Sequence, residues 1–133
     1  MVLIYVAAAK GNDEKTSPCA IRAEVYRGKE VIYTATKMTE EPNIEKAYLK
    51  ALVELLDEIQ IEPTEKVTLF TTTSIAKHGN DAMLSDSGYP NKPMWKQAKK
   101  RLLKLEYLPT FMSNSRWGET ILAEAQEYAA EHV

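Results

Sequence analysis

The sequence has little that could cross-link the chain and no segment long enough to cross a bilayer. Cys19 is the only cysteine among the 133 residues, which excludes an intramolecular disulfide and any zinc site built from several cysteines. Its neighbours Ala20 and Ile21 favour a buried thiol on a strand. The apolar run at residues 2–9 is too short to span a membrane and no basic residue precedes it. We therefore expect a cytoplasmic protein with no membrane partner.

The sequence also has few glycines and prolines, and its net charge is small. Five glycines and six prolines accompany 44% hydrophobic and 27% charged residues, a composition that argues against disorder. The length predicts one domain, residues 1–133, which buries roughly two thirds of the surface of its unfolded chain. The formal charge of −2 gives no global attraction to polyanions, so binding to nucleic acid would need a local basic patch.

The hydrophobic pattern of the first half predicts three strands and a helix. Residues 2–8 form an apolar run typical of a strand that is covered on both faces. Residues 19–37 alternate around Gly28, which predicts a β-hairpin. Apolar residues then recur at helical spacing over residues 44–59, directly after Pro42 and Asn43, and they form the strongest helix signal in the sequence.

The second half predicts a strand, an irregular stretch and two helices around a last strand. Residues 66–73 read as a strand, and the irregular segment that follows contains several Gly and Pro residues and at most a short helix. Trp95 stands near the start of the next amphipathic helix. Residues 107–112 predict a last strand, which Pro109 confines to a sheet edge or a bulge. Residues 116–132 predict a closing helix.

This order of elements resembles the ribonuclease H fold. The similarity is carried by "YRGKEVIYTATK", like the family's second and third strands, by "AYLKALVELL", like its first helix, and by "KPMWKQAKKRLL", like the helix before its last strand. The resemblance covers almost the whole chain. It implies an α/β fold with a five-stranded mixed sheet, in which the first three strands are antiparallel and the last two run parallel to the first.

The resemblance also implies where a metal site would lie. In that family, carboxylates on the first strand, first helix, fourth strand and last helix hold two Mg²⁺ ions that cleave a phosphodiester. The matching positions here are Ala7, Ala47, Thr72 and Leu122. A shift of one residue on the first helix offers Lys46, and only a shift of two recovers Glu45. None of the four matched side chains can neutralise a hard cation.

These substitutions predict a catalytically inactive ribonuclease H-like domain that needs no cofactor and binds nucleic acid or a protein. The alternative is a nuclease that hydrolyses the RNA of RNA/DNA hybrids with Mg²⁺ held at a relocated site. Its candidate ligands are Glu45, Glu119 and Glu124. A third hypothesis is a structural role, in which the domain dimerises or joins an assembly.

A basic helix is the candidate contact for an RNA/DNA hybrid or a duplex. Its lysines lie opposite the apolar face, where they can contact phosphates or can simply be solvated; they are Lys92, Lys96, Lys99 and Lys100. Asn43 either grips a phosphate or caps the first helix. His78 and His132 lack an acidic partner at a suggestive spacing and are expected on the surface. Trp95 and Trp117 are expected to anchor helices in the core, whereas an exposed Trp117 would mark a partner site.

Overall fold

A five-stranded mixed sheet forms the centre of the fold, with the strand order β3-β2-β1-β4-β5. In the computed structural model, which describes residues 1–133, the first three strands are antiparallel and the last two run parallel to β1. This confirms the sheet expected from the sequence. The strands are β1 (Val2–Lys10), β2 (Cys19–Arg27), β3 (Glu30–Met38), β4 (Val67–Phe70) and β5 (Thr110–Met112).

Four helices cover the two faces of the sheet. Three of them pack on one face around the larger apolar core, and the fourth packs on the other face. No helix is both long enough and apolar enough to cross a membrane. The helices are α1 (Ile44–Glu58), α2 (Thr73–Leu84), α3 (Lys92–Leu102) and α4 (Arg116–His132).

The alternation of side chains along β1 divides the core into two parts. Val6 points into the larger cluster together with Leu52 of α1, whereas Ala7 points to the opposite face beneath Ile121 and Ala125 of α4. Small side chains on β1 let α4 approach the sheet closely. The C-terminal half of β1 is therefore buried on both faces, as its apolar run predicts.

The segment after β4 differs from the prediction. The strand expected over residues 66–73 ends at Phe70, and a helix of 12 residues begins at Thr73, where we expected a mostly irregular stretch. Gly79 lies inside this helix because a Cβ atom there would stand 2.6 Å from the Phe111 ring. The glycine therefore marks close packing of α2 against β5 rather than a chain break.

The two tryptophans have different environments. Trp95 is fully buried, with a relative exposure of 0%, and lies 5.5 Å from the Phe111 ring, which confirms that it anchors α3. Trp117 lies in the first turn of α4 and remains 42% exposed, so the prediction that it is a core anchor is wrong. Cys19 is buried on β2, as expected.

Candidate functional site

A cleft opens where β1 and β4 end and α4 begins. Its volume is about 210 Å³, and Ala7, Thr72 and Leu122 all line it. The structure thus brings together three of the four positions matched to metal ligands. The fourth, Ala47, is fully buried in the core beneath α1 and does not reach the cleft.

The cleft is lined mainly by apolar and hydroxyl side chains. Tyr5 and Phe70 form one wall, with their rings stacked at a centroid distance of 4.5 Å. Glu119 is the only acidic residue that lines this cleft. A second, wider cleft adjoins it at Thr72 and Leu122. The first cleft therefore offers one carboxylate.

Magnesium does not fit the side chains present here. The ion takes several oxygen ligands, among them charged carboxylates, and pairs of such ions need more. Ala7 and Leu122 carry no donor atom, and Thr72 offers a neutral hydroxyl. No group of three or more His, Cys, Asp or Glu side chains in the chain lies close enough together to hold a metal ion.

The three alternative acids do not converge. Glu119 lines the first cleft, Glu45 lines only the second, and Glu124 lines neither. Glu124 lies 3.6 Å from Nε of Arg22. Glu119 is exposed in the first turn of α4. The relocated site that the nuclease alternative needs has no common centre among these side chains.

Glu45 is held by side chains from two other helices. Its Oε1 lies 2.6 Å from Nδ1 of His78 on α2, and its Oε2 accepts hydrogen bonds of 3.1 Å from Nδ2 of Asn91 and Nε1 of Trp95. His78 therefore has an acidic partner, contrary to the expectation from the sequence. The two residues are 33 positions apart, so no local pattern signals the pair.

A buried carboxylate, Glu24 on β2, was not singled out from the sequence. It accepts hydrogen bonds from Nη2 of Arg22 at 2.6 Å, from Oη of Tyr26 at 2.9 Å and from Nε1 of Trp117 at 3.0 Å. Burial and the bond to Glu24 raise the pKa of Tyr26. The signal was available, because Arg22, Glu24 and Tyr26 alternate along a strand and so share one face.

The basic helix α3 is only partly neutralised. Lys99 lies 3.4 Å from Asp86, and Arg101 pairs with Asp57 at 2.6 Å, which holds the pKa of that carboxyl below its ordinary value. The remaining lysines of the helix are exposed and have no acidic partner within 4 Å. Spaced four residues apart, they follow one stripe of the helix; they are Lys92, Lys96 and Lys100.

Asn43 caps α1, as one of the two hypotheses predicts. Its Oδ1 accepts a hydrogen bond of 2.9 Å from the backbone N–H of Lys46. The side chain is exposed, so its amide group faces solvent beside the start of the helix. Glu41, two residues before Asn43, pairs with Lys50 at 3.2 Å.

Neither a protein-family model nor a curated protein sequence matches this chain. Among solved structures, the RNase H1 of the halophilic archaeon Halobacterium salinarum is similar, with a TM-score of 0.72 over 99% of this chain and 98% of its own, at 14% identity. The fold is that of ribonuclease H.

Two further ribonuclease H structures agree. LC11-RNase H1, in complex with an RNA/DNA hybrid, gives a TM-score of 0.70 at 13% identity, covering 97% of this chain and 99% of its own. The N-terminal RNase H domain of a Mycobacterium tuberculosis protein gives 0.68 at 12% identity, covering 92% and 95%. The likeness is one of fold, and within that fold Ala7, Thr72 and Leu122 line the end of the central strands.

Proposed function

We propose that this chain is a nucleic-acid-binding module with the ribonuclease H fold that does not cleave its ligand. The observation that supports the absence of cleavage is the lining of the cleft by Ala7, Thr72 and Leu122. Cleavage by two metal ions depends on carboxylates at the reacting phosphate. The methyl group of Ala7, the hydroxyl of Thr72 and the isobutyl group of Leu122 cannot replace carboxylates as ligands of two metal ions.

The exposed lysine stripe of α3 supports nucleic acid as the ligand. Lys92, Lys96 and Lys100 have no acidic partner, so each is available to a backbone phosphate. Every phosphate that a lysine neutralises releases counterions and adds affinity that falls with salt. The chain as a whole has a charge of −2, so this local stripe is the region where a polyanion would bind.

An RNA/DNA hybrid is the ligand to test first. LC11-RNase H1, which shares the fold, was solved with such a hybrid. The exposed edge of α3 begins beside the start of α1, since Asn91 bonds to Glu45. The starts of the two helices thus lie side by side, and both Asn43 and Lys92 are exposed there.

A cleavage assay tests the catalytic half of the proposal. Purified protein is incubated with an end-labelled RNA/DNA hybrid in Mg²⁺ and, separately, in Mn²⁺. We expect no cleavage above the buffer background. Cleavage that is lost in both Glu45→Ala and Glu119→Ala would overturn the proposal and support the nuclease with a relocated site.

A binding titration tests the other half. Fluorescence anisotropy with labelled hybrid, duplex and single strand is measured over a range of salt concentrations. Replacing Lys96 and Lys100 with Glu should weaken binding and reduce the salt slope by about one for each phosphate that is no longer neutralised. Lys29→Glu, in the exposed turn between β2 and β3, changes the net charge as much as Lys96→Glu or Lys100→Glu alone and is the control for each of those single variants. Absence of binding at low salt would instead favour a protein partner.

A further inference from the structure

His78 has one ring nitrogen fixed by the protein and one left free. Its Nδ1 lies 2.6 Å from Oε1 of Glu45. That carboxylate is itself held by Asn91 and by the indole N–H of Trp95, which is fully buried. The imidazole therefore has a set orientation, with a side chain that remains 23% exposed.

The contact with Glu45 fixes the protonation pattern of the ring. An ionised carboxylate can only accept hydrogen bonds, so Nδ1 must carry the hydrogen. Nε2 has no partner in the protein and is not among the buried polar atoms, so it faces solvent. In the neutral ring Nε2 carries a lone pair, and in the protonated ring it carries an N–H group.

The position of His78 relates it to the candidate nucleic-acid contacts. Glu45 lies two residues after Asn43, the cap of α1, and Asn91 directly precedes Lys92, the first residue of α3. The cluster around Glu45 therefore joins the starts of these two helices to α2. His78 contacts this junction of helix starts through Glu45.

We infer that Nε2 of His78 donates a hydrogen bond to a backbone phosphate of the bound nucleic acid, and that only the protonated ring does so. The inference rests on the proposed binding function. A phosphate oxygen is an acceptor, so it is attracted to the N–H form and repelled by the lone pair of the neutral form. Binding at this surface should then strengthen as the pH falls through the range in which histidine titrates.

Other roles for the free nitrogen have less support. A metal ion could use the lone pair of Nε2, but no group of three or more ligating side chains surrounds it. Lys77 and Asp81, its neighbours on α2, pair with each other at 3.1 Å, so they add little net charge. Glu45 also lines the second cleft together with Lys10 and Asp13. In sequence, Lys46 follows Glu45 and Lys92 follows Asn91.

The test is a binding titration at several pH values. Anisotropy of a labelled RNA/DNA hybrid is measured at constant ionic strength between about pH 5.5 and about pH 8.5, which brackets the titration of an ordinary histidine. The wild-type affinity should fall by up to about fivefold across this range, the size expected of one exposed charged contact. His78→Gln should bind at the wild-type high-pH level throughout. His78→Arg, which keeps a permanent charge, should bind tightly without pH dependence.

The second histidine of the chain supplies the matched control. His132 lies at the end of α4, where its ring stacks on Tyr128, and His132→Gln should retain the full wild-type pH dependence. If wild type binds and His78→Gln shows the same pH dependence, the inference is overturned while the proposed function stands. If folded wild-type protein binds no hybrid at low salt at either end of the pH range, the proposed function fails and the inference fails with it.

Discussion

The indole Nε1 of Trp117 lies 3.0 Å from Oε1 of Glu24, although 93 residues separate the two in sequence. The same carboxylate accepts hydrogen bonds from Arg22 and Tyr26, and Glu24 is only 8% exposed. A buried carboxylate is costly unless its lone pairs are satisfied and its charge is compensated. These contacts therefore tie the first turn of α4 to β2 at a defined point.

Removing that carboxylate should destabilise the fold. Glu24→Ala removes the acceptor that Arg22, Tyr26 and Trp117 share. Arg22 keeps the carbonyl groups of Ala23 and Ala35 as acceptors, so the change should lower the free energy of unfolding by about 1–3 kcal/mol. Urea unfolding followed by circular dichroism measures the change. The comparison is Glu54→Ala, which breaks a surface pair with Lys37 and should cost less than about 1 kcal/mol. Equal decreases in the free energy of unfolding would show that the hydrogen bonds of Glu24 stabilise the fold no more than a surface ion pair does.

Gly79 should be intolerant of a methyl group. The change to Ala gains about 1 kcal/mol of helix propensity, but the new Cβ would stand 2.6 Å from Cγ of Phe111. Overpacking of this kind costs about 1–3 kcal/mol, so we expect a net loss of stability in thermal unfolding. Gly118→Ala is the control, because its Cβ would meet no atom closer than 3.3 Å, the nearest being Cβ of Ser115 and the next residue Phe70 at 3.9 Å. A Gly79→Ala protein as stable as Gly118→Ala would contradict the close packing of α2 on β5.

Thr72→Asp should stabilise α2. Thr72 has the extended backbone of an N-cap, but its side chain makes no capping hydrogen bond. Aspartate can accept from the free N–H groups of the first turn and interacts favourably with the positive end of the helix, which should add about 0.5–1 kcal/mol. Thr72→Ala should change little, since the threonine makes no cap bond to remove. The melting temperatures of the three proteins test this order, and an unchanged or lower value for Thr72→Asp would contradict it.

Stability should decline in acid partly through Glu65. Two hydrogen bonds from Arg27, at 2.8 and 3.0 Å, and one from the backbone N–H of Glu62 hold the pKa of Glu65 below its ordinary value. A carboxyl whose folded-state pKa is depressed stabilises the protein above its unfolded pKa of about 4.3, and that contribution is lost as the pH falls through the folded-state value.

Glu65→Gln isolates this contribution. The variant should be less stable than wild type at neutral pH, and the difference should shrink as the pH falls below about 4.3. Urea unfolding of both proteins at a series of pH values measures the difference. A gap that stays constant into acid would mean that Glu65 acts through packing or neutral hydrogen bonding and not through its charge.

The order and type of most elements could be predicted because they depend on local periodicity. The alternation around Gly28 predicted the hairpin, and the apolar spacing after Asn43 predicted α1, both of which are confirmed. The length of α2 could not be predicted in the same way. Gly79 lies within it because of the Phe111 ring, and that ring comes from β5, a strand much later in the chain.

Some features of the candidate site could also be predicted from the sequence, and others could not. The match of Ala7, Thr72 and Leu122 to ligand positions was implied by the resemblance to the ribonuclease H family, and the structure places all three in one cleft. Ala47 lies in the core instead, because the side of α1 on which it lies faces the sheet. Glu45 could not be predicted as the partner of His78, because a hydrogen bond between two helices corresponds to no local sequence pattern.

By itself the sequence determined the chain's periodicities, and through them the strands, the hairpin and the strongest helix. Those features depend on which face of an element each side chain occupies, and spacing alone sets that. Only the tertiary structure decided that Glu45 holds His78 and that Glu24 holds Trp117. Such pairs form where burial makes an unpaired polar group costly, and burial is a property of the packed chain.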